Sequence, residues 1–313
     1  MKLNKAAKAL TGLAVGAAAA YFGIGAALCV AVFSRKAVNE SPEFLPDDIE
    51  VYLAEQKDGV CDDWFIMQHP EIKKLINHKG ETLTCAEIKQ KKHSDLWFIV
   101  CHGYNNSPKG MSSYAKGFYE KGYNVLLPYM RAHAKSEQKM CTMGYYDRYD
   151  VVQWINYIVS FNPDAKIVLL GVSMGAATTL LATGEKLPDN VKCAVSDCSY
   201  TSCWDEFTVQ TKEMFHLPPF VLHPANTVNK IISKWDFKDC SPIEAVAKSK
   251  TPTLFIHGEK DTFVPYHMMD SLYNACAAQK EKVSIPEAEH AVSIDINPGL
   301  YWKKVFEFTG KYI

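Results

Sequence analysis

The sequence has no excess of either charge: 34 Lys and Arg stand against 35 Asp and Glu in 313 residues. Such a balance makes no long-range field to gather nucleic acid or an acidic partner, and no nucleic-acid binding is expected. There is no P-loop, no GxGxxG fingerprint and no zinc-finger spacing, so phosphate-cradling and dinucleotide chemistry lack a carrier. Ten cysteines are present, but no two form a CxxC pair. Cys101 and Cys193 lie inside apolar runs, "WFIVCHG" and "VKCAVSD", which suits small buried hydrophobes better than disulfides or metal ligands. No internal repeat is visible, and no cofactor or metal is implied. The hydrophobic content of 48% is ordinary for a globular protein with a large core.

Charge is also missing from Leu10 to Phe33, while Lys2, Lys5 and Lys8 precede this stretch and Arg35 and Lys36 follow it. As a helix the stretch would measure about 36 Å at about 1.5 Å per residue, enough to cross a bilayer. A cleaved signal peptide competes with a permanent anchor here. A signal core is about 7 to 15 residues, and this run continues past any Ala-x-Ala site near Ala20, which favours the anchor. "ESPEFLPDD" (Glu40 to Asp48) is acidic, holds two prolines and reads as a linker; Ile49 to Gln68 reads as a helical approach segment. The expected division is an anchor over 1–36, a linker and approach over 37–70, and a folded domain over 71–313.

Within 71–313, two alternating runs flank a His-Lys-Gly turn in "IKKLINHKGETLTCAEIKQ", the pattern of a β-hairpin. Short apolar runs then alternate with helical stretches such as Tyr149 to Ser160 and Met268 to Ala278. The runs predict strands at Trp97–Cys101, Asn124–Leu127, Ile167–Leu170, Cys193–Ser196, Thr253–Ile256 and Val283–Ile285. That rhythm predicts an α/β fold, a mostly parallel sheet with helices on both faces. Ligands of such sheets bind at the carboxyl ends of the strands. "GVSMG" (Gly171 to Gly175) follows one strand and sets a serine at the apex of a glycine-flanked turn into a helix. "HGYNN", "HGEKDTFVP" and "PEAEHAVS" follow three others. A hydroxyl, a carboxylate and an imidazole thus share one rim in the chain order Ser, Asp, His, the order associated with a G-x-S-x-G nucleophile elbow.

With these motifs the chain, from about Ile72 onward, resembles the α/β-hydrolase superfamily. "SPIEAVAKSKTPTLFIHGEKDTFVP" (Ser241 to Pro265) is most similar to its bacterial serine-aminopeptidase-like, esterase-type branch. The resemblance implies Ser173 as nucleophile, His290 as base and Asp261 as the acid that orients it. It also implies an oxyanion hole from the backbone N–H groups of Tyr104 and Met174. Asp197, in "AVSDCSY", also follows a strand where some relatives place the acid; the spacing of "HGEKD" favours Asp261. His102 and His257 precede glycines at strand ends and read as structural. "RAHAKS" (Arg131 to Ser136) departs from the family's R-G-H-G-x-S loop by carrying Ala at both glycine positions.

The chemistry requires these residue types. A serine hydroxyl must lose its proton as it attacks, and an imidazole is the natural acceptor near neutral pH. The carboxylate holds the imidazole in the productive tautomer. Residues at about 200–240 form the one long insertion, carrying Trp204, Phe207, Met214, Phe215, Phe220 and Trp235. They read as a small helical cap lining an acyl or aromatic pocket, against the alternative of ordinary packing on the sheet. A small to medium acyl substrate follows, cleaved as an ester or related acyl bond. An acyltransferase, an aminopeptidase or an inactive binding protein are the alternatives. The basic residues bias the amino end to the cytoplasm and the hydrolase domain to the outside. The protein is expected to fractionate with membranes and resist high-salt extraction; release by salt alone would remove the anchor. Protease added to spheroplasts is expected to digest the domain, and protection until lysis would reverse the orientation.

Overall fold

The computed structural model describes residues 5–40, 63–213 and 216–313. Eight strands form one sheet: β1 (Glu71–Ile76), β2 (Thr82–Ile88), β3 (Leu96–Cys101), β4 (Asn124–Pro128), β5 (Lys166–Val172), β6 (Val191–Asp197), β7 (Thr253–Gly258) and β8 (Lys280–Ile285). Their order is β1-β2-β4-β3-β5-β6-β7-β8. The β1–β2 and β2–β4 pairs are antiparallel, and every other neighbouring pair is parallel. The predicted hairpin is therefore β1–β2, turning where the Asn77 side chain accepts from the N–H groups of Lys79 and Glu81. All six predicted strands are present. β8 begins three positions before the expected Val283, and the helix before it is His267–Ala275, shorter than expected. The polar Lys280, Glu281 and Lys282 hide this strand in the sequence because it is an edge, paired with β7 alone.

The sheet is buried on both sides because successive residues of its strands face opposite layers. Trp97, Ile99, Ile167 and Leu169 join one core, with Trp154 and Ile155 of the helix Asp147–Phe161. Phe98, Val100, Val168 and Leu170 join the other, with Phe118 of the helix Ser112–Tyr119 and Val305 of the helix Pro298–Thr309. Every cysteine among the described residues is buried and unpaired, as expected of small core side chains. The cap consists of the helices Cys203–Glu213 and Leu222–Ile232 joined through a 3-10 turn at Pro219–Val221. Met214 and Phe215 lie outside the described residues, as do Ser41 to Asp48 of the expected linker and Ile49 to Asp62 of the approach segment, whose described end holds the short helix Trp64–Met67.

The N-terminal helix, Lys5–Phe33, contains the expected apolar segment, and Ala14–Phe33 is long and apolar enough to cross a membrane. Its last turns and the short helix Arg35–Asn39 that follows are part of the hydrolase core. Cys29, Phe33 and Val38 are buried, and the Phe33 ring meets Phe207, Trp235 and Phe237 at centroid distances of 5.6, 6.3 and 5.6 Å. Cys141 N–H donates to the Phe33 carbonyl at 2.7 Å, and Arg35 N–H to that of Lys139 at 2.9 Å. The boundary expected at residue 36 thus falls within packed structure. Part of the aromatic set assigned to a substrate pocket packs against this helix instead: Trp235 is 2% exposed and stacks on Tyr145. Phe33→Ala is expected to destabilise the protein by about 3–5 kcal/mol, read from denaturant unfolding in micelles. An unchanged midpoint would mean that the helix end is not part of the core.

Candidate active site

The parallel strands β3, β5, β6, β7 and β8 end on the same rim, and the loops that follow them build the site. At the end of β5 the chain turns at once into the helix Met174–Thr183. Ser173 occupies the turn with φ 56° and ψ −120°, a region that costs a non-glycine residue roughly 1–3 kcal/mol. The flanking glycines are needed by close approach. A Cβ on Gly171 would lie 2.0 Å from the Gly175 carbonyl oxygen, and one on Gly175 would lie 2.1 Å from that of Cys101. The turn is held by Ser173 N–H, which donates to the Asp197 carbonyl at 2.9 Å.

His290, in the loop after β8, receives the Ser173 hydroxyl: Oγ to Nε2 is 2.8 Å. Its Nδ1–H donates to Asp261 Oδ2 at 2.7 Å. Asp261, after β7, is held on both oxygens. Oδ1 accepts from the N–H groups of Phe263 and Val264 at 3.0 and 2.9 Å, and Oδ2 lies 3.1 Å from His257 Nε2. Burial pushes this carboxyl up, but hydrogen bonds from His257 and His290 outweigh it and leave Asp261 below the ordinary carboxylate value. His257 also donates to the Val264 carbonyl at 2.8 Å, so it fixes the acid rather than meeting the serine. His102 is structural as expected: it bonds Gly103 O at 2.8 Å and accepts from Met130 N–H at 3.1 Å.

Asp197, the rival acid, is fully buried and has no hydrogen-bond partner on either carboxylate oxygen among the described residues. The hydroxyls of Ser293 and Tyr301 are the polar groups beside it, too poorly placed for a well-formed hydrogen bond but near enough to favour the charged form slightly. Burial pushes its pKa up to about 6, partly offset by His257 and Tyr301. Cys198 Sγ, an Asp261 oxygen and a His290 nitrogen lie within 4.8 Å of one another, the one such donor group among the described residues. Both nitrogens of His290 are committed to Ser173 and Asp261, and burial holds the Cys198 thiol well above its ordinary pKa. That set fits a hydrogen-bonded chain better than a metal site. A broad cleft bordered by Lys91, His93 and Asn162 lies at the opposite end of the strands and touches none of these groups.

The proposed oxyanion donors sit beside the serine. Met174 is the first residue of its helix, so its N–H has no intrahelical partner. Tyr104 follows Gly103, whose Cβ position would be 3.4 Å from that of Ser173. The Tyr104 hydroxyl donates to the carbonyl of Val32 in the N-terminal helix. The neighbouring "RAHAKS" loop keeps a glycine-like backbone despite its substitutions: Ala132 and Ala134 have φ of 69° and 42°. Asn39 secures it, donating from Nδ2 to Ala132 O at 2.6 Å and accepting from Ala134 N–H at 2.7 Å. Arg35 adds bonds to the Ala134 and Ser136 carbonyls.

A family model for the alpha/beta hydrolase fold matches residues 97–223. YqkD, an uncharacterized protein of Bacillus subtilis, is 30% identical over 217 residues, which cover 67% of this chain and 70% of that one. The chain belongs to the α/β-hydrolase superfamily. An esterase of Pyrococcus furiosus superposes with a TM-score of 0.65 at 23% identity, over 81% of this chain and 97% of its own. An acylaminoacyl peptidase of Pyrococcus horikoshii gives 0.58 at 16% identity, over 80% of this chain and 44% of that one. Both likenesses concern the fold.

Sequence reasoning brought Ser173, Asp261 and His290 together but missed their supports. Phe263 lies over His290 with centroids 4.8 Å apart, and only its place two residues after Asp261 hinted at it. Asn39 and Arg35 carried no signal, because their partners lie roughly a hundred residues away in what reads as a different region.

Asp197 supplies a test. An unfolded Asp titrates near 3.9, so the folded protein binds this proton more tightly than the unfolded chain does. The resulting stabilisation is present below about pH 4 and is lost as pH rises through about 6. Asp197→Asn cannot ionise and should gain stability relative to the parent between pH 4 and 6, then level off. Denaturant unfolding at pH 4, 6 and 8 measures this; a pH-independent difference would show that the carboxyl does not titrate differently in the two states.

Proposed function

We propose that the protein is a serine hydrolase that cleaves a carboxylic ester or related acyl bond of a small to medium substrate. The observation that carries this is the continuous chain from Ser173 Oγ through His290 to Asp261, with bonds of 2.8 and 2.7 Å. Because Nδ1–H is spent on Asp261, Nε2 is the lone-pair side of the ring and faces the hydroxyl. Ser173 Oγ attacks the acyl carbon as His290 takes its proton. The charge on the carbonyl oxygen falls toward the Met174 and Tyr104 N–H groups; one such donor is worth about 3 kcal/mol of barrier. Collapse expels the alcohol, protonated by His290, and leaves an acyl-serine. Water, deprotonated by the same imidazole, then releases the acid and restores the serine. The N-terminal helix would hold this site at a membrane.

Ser173 is expected to take one fluorophosphonate adduct by intact mass, and Ser173→Ala none; a full adduct on the variant would assign the wrong nucleophile. Asp261→Asn is expected to lower kcat on a p-nitrophenyl ester by about 10⁴, and Asp197→Asn by far less. The reverse ranking would move the acid to the end of β6.

A further inference from the structure

The N-terminal helix runs beside the cap well before it ends. Tyr21 Oη lies 2.9 Å from Thr227 Oγ1, a Cβ on Gly25 would fall 2.3 Å from the Pro224 carbonyl oxygen, and the Cys29 thiol bonds Ala225 O at 3.2 Å. Thr227, Pro224 and Ala225 all belong to the cap helix Leu222–Ile232. Among the described residues Lys5–Ala20 precedes this contact, about 24 Å of helix at about 1.5 Å per residue. A bilayer's hydrocarbon core is roughly 30 Å thick. The uncharged segment that must be covered, Ala14–Phe33, overlaps the contact with the cap from Tyr21 onward. A cap standing clear of the lipid would strand the larger part of that segment, Tyr21 to Phe33, in water, at a cost that grows with its apolar area. A layer deep enough to take the helix therefore reaches the outer face of the cap.

That face has the composition such a position demands. Leu217, Phe220, Ile231 and Ile232 are 42, 69, 55 and 56% exposed. Lys230 is the one Lys, Arg, Asp or Glu in Leu217 to Ile232, and its ammonium is paired with Asp236 Oδ2 at 2.9 Å, on a stem long enough to keep that pair at the lipid surface. Phe22, Ile24 and Val30 of the N-terminal helix are exposed as well. The same pair of elements borders the site. Val32 holds the Tyr104 hydroxyl, and the Phe33 ring meets Phe207 of the inner cap helix at 5.6 Å. From that helix Gln210 Nε2 donates to the Phe263 carbonyl at 2.6 Å, and the Phe263 ring covers His290. A molecule leaving the bilayer along the end of the helix thus arrives at the rim of Ser173.

We propose that the cap face of Leu217, Phe220, Ile231 and Ile232 rests in the interfacial layer of the bilayer holding the N-terminal helix, and that the site takes an amphiphilic acyl ester from that bilayer. The substrate half rests on the serine-hydrolase reading; the contact half does not. The full chain in phosphatidylcholine nanodiscs containing a diazirine-bearing phosphatidylcholine is irradiated, and adducts are mapped by mass spectrometry. Adducts within residues 216–232 as well as the N-terminal helix are expected; adducts confined to residues before Tyr21 overturn the contact. The variant Phe220→Ser, Ile231→Ser, Ile232→Ser is then assayed on two esters. Turnover of dissolved p-nitrophenyl acetate is expected to stay within about twofold, while that of 4-methylumbelliferyl oleate in phosphatidylcholine vesicles falls about tenfold. An equal change on both esters, or none on the vesicle-borne one, overturns delivery from the bilayer. A parent protein that crosslinks through the cap but turns over neither ester overturns the hydrolase reading and the substrate half together, and leaves the contact established.

Discussion

The site depends on how closely a helix can follow a strand. Gly171 and Gly175 let β5 and the helix Met174–Thr183 nearly touch, and Cys101 of β3 closes against the same spot. Ser173 is left at the apex in a backbone region that L-residues avoid. Two consequences come from that one constraint. The hydroxyl stands outside the sheet, within reach of His290, and the new helix opens with its unbonded N–H groups beside it. The strain is offset by the buried strands on either side, which leave the turn no other path.

The two carboxyls near the imidazole differ in what they have been given to bond. Asp261 has two turn amides and two imidazoles, enough to outweigh its burial. Asp197 is withdrawn from water too but is faced only by the weakly placed hydroxyls of Ser293 and Tyr301. The first environment stabilises a carboxylate and the second penalises one. In the proposed reaction the acid would have to be charged when the imidazole takes its proton, and local hydrogen bonding is what separates the two carboxyls in that respect.

The N-terminal helix links this chemistry to the outside of the molecule. Its end is packed with Phe207, Trp235 and Phe237, its carbonyl at Val32 holds Tyr104, and Asn39 just beyond it holds a loop with two alanines at positive φ. Each such alanine costs about 1–2 kcal/mol, and the bonds from Asn39 and Arg35 supply what glycine would have made unnecessary. The departure of "RAHAKS" from the family pattern and the docking of the helix end are thus two sides of one arrangement.

The sequence alone determined the order of the strands and the α/β rhythm, because buried strands must be apolar runs and the elbow must be glycine-flanked. It marked Ser173, Asp261 and His290, since parallel strands put their following loops on one rim whatever the details of packing. It could not show that Lys280 to Lys282 extend an edge strand, because edge positions tolerate polar residues. Nor could it rank Asp197 by its surroundings, which come from Ser293, Tyr301 and His257 in three separate segments. The association of the N-terminal helix with the cap was equally hidden. Gly25, Cys29 and Phe33 read as generic apolar residues, and only the folded chain sets them against Pro224, Ala225 and Trp235. Periodicity and turn chemistry are local and survive in one dimension; desolvation, and the partners that offset it, exist only once distant residues meet.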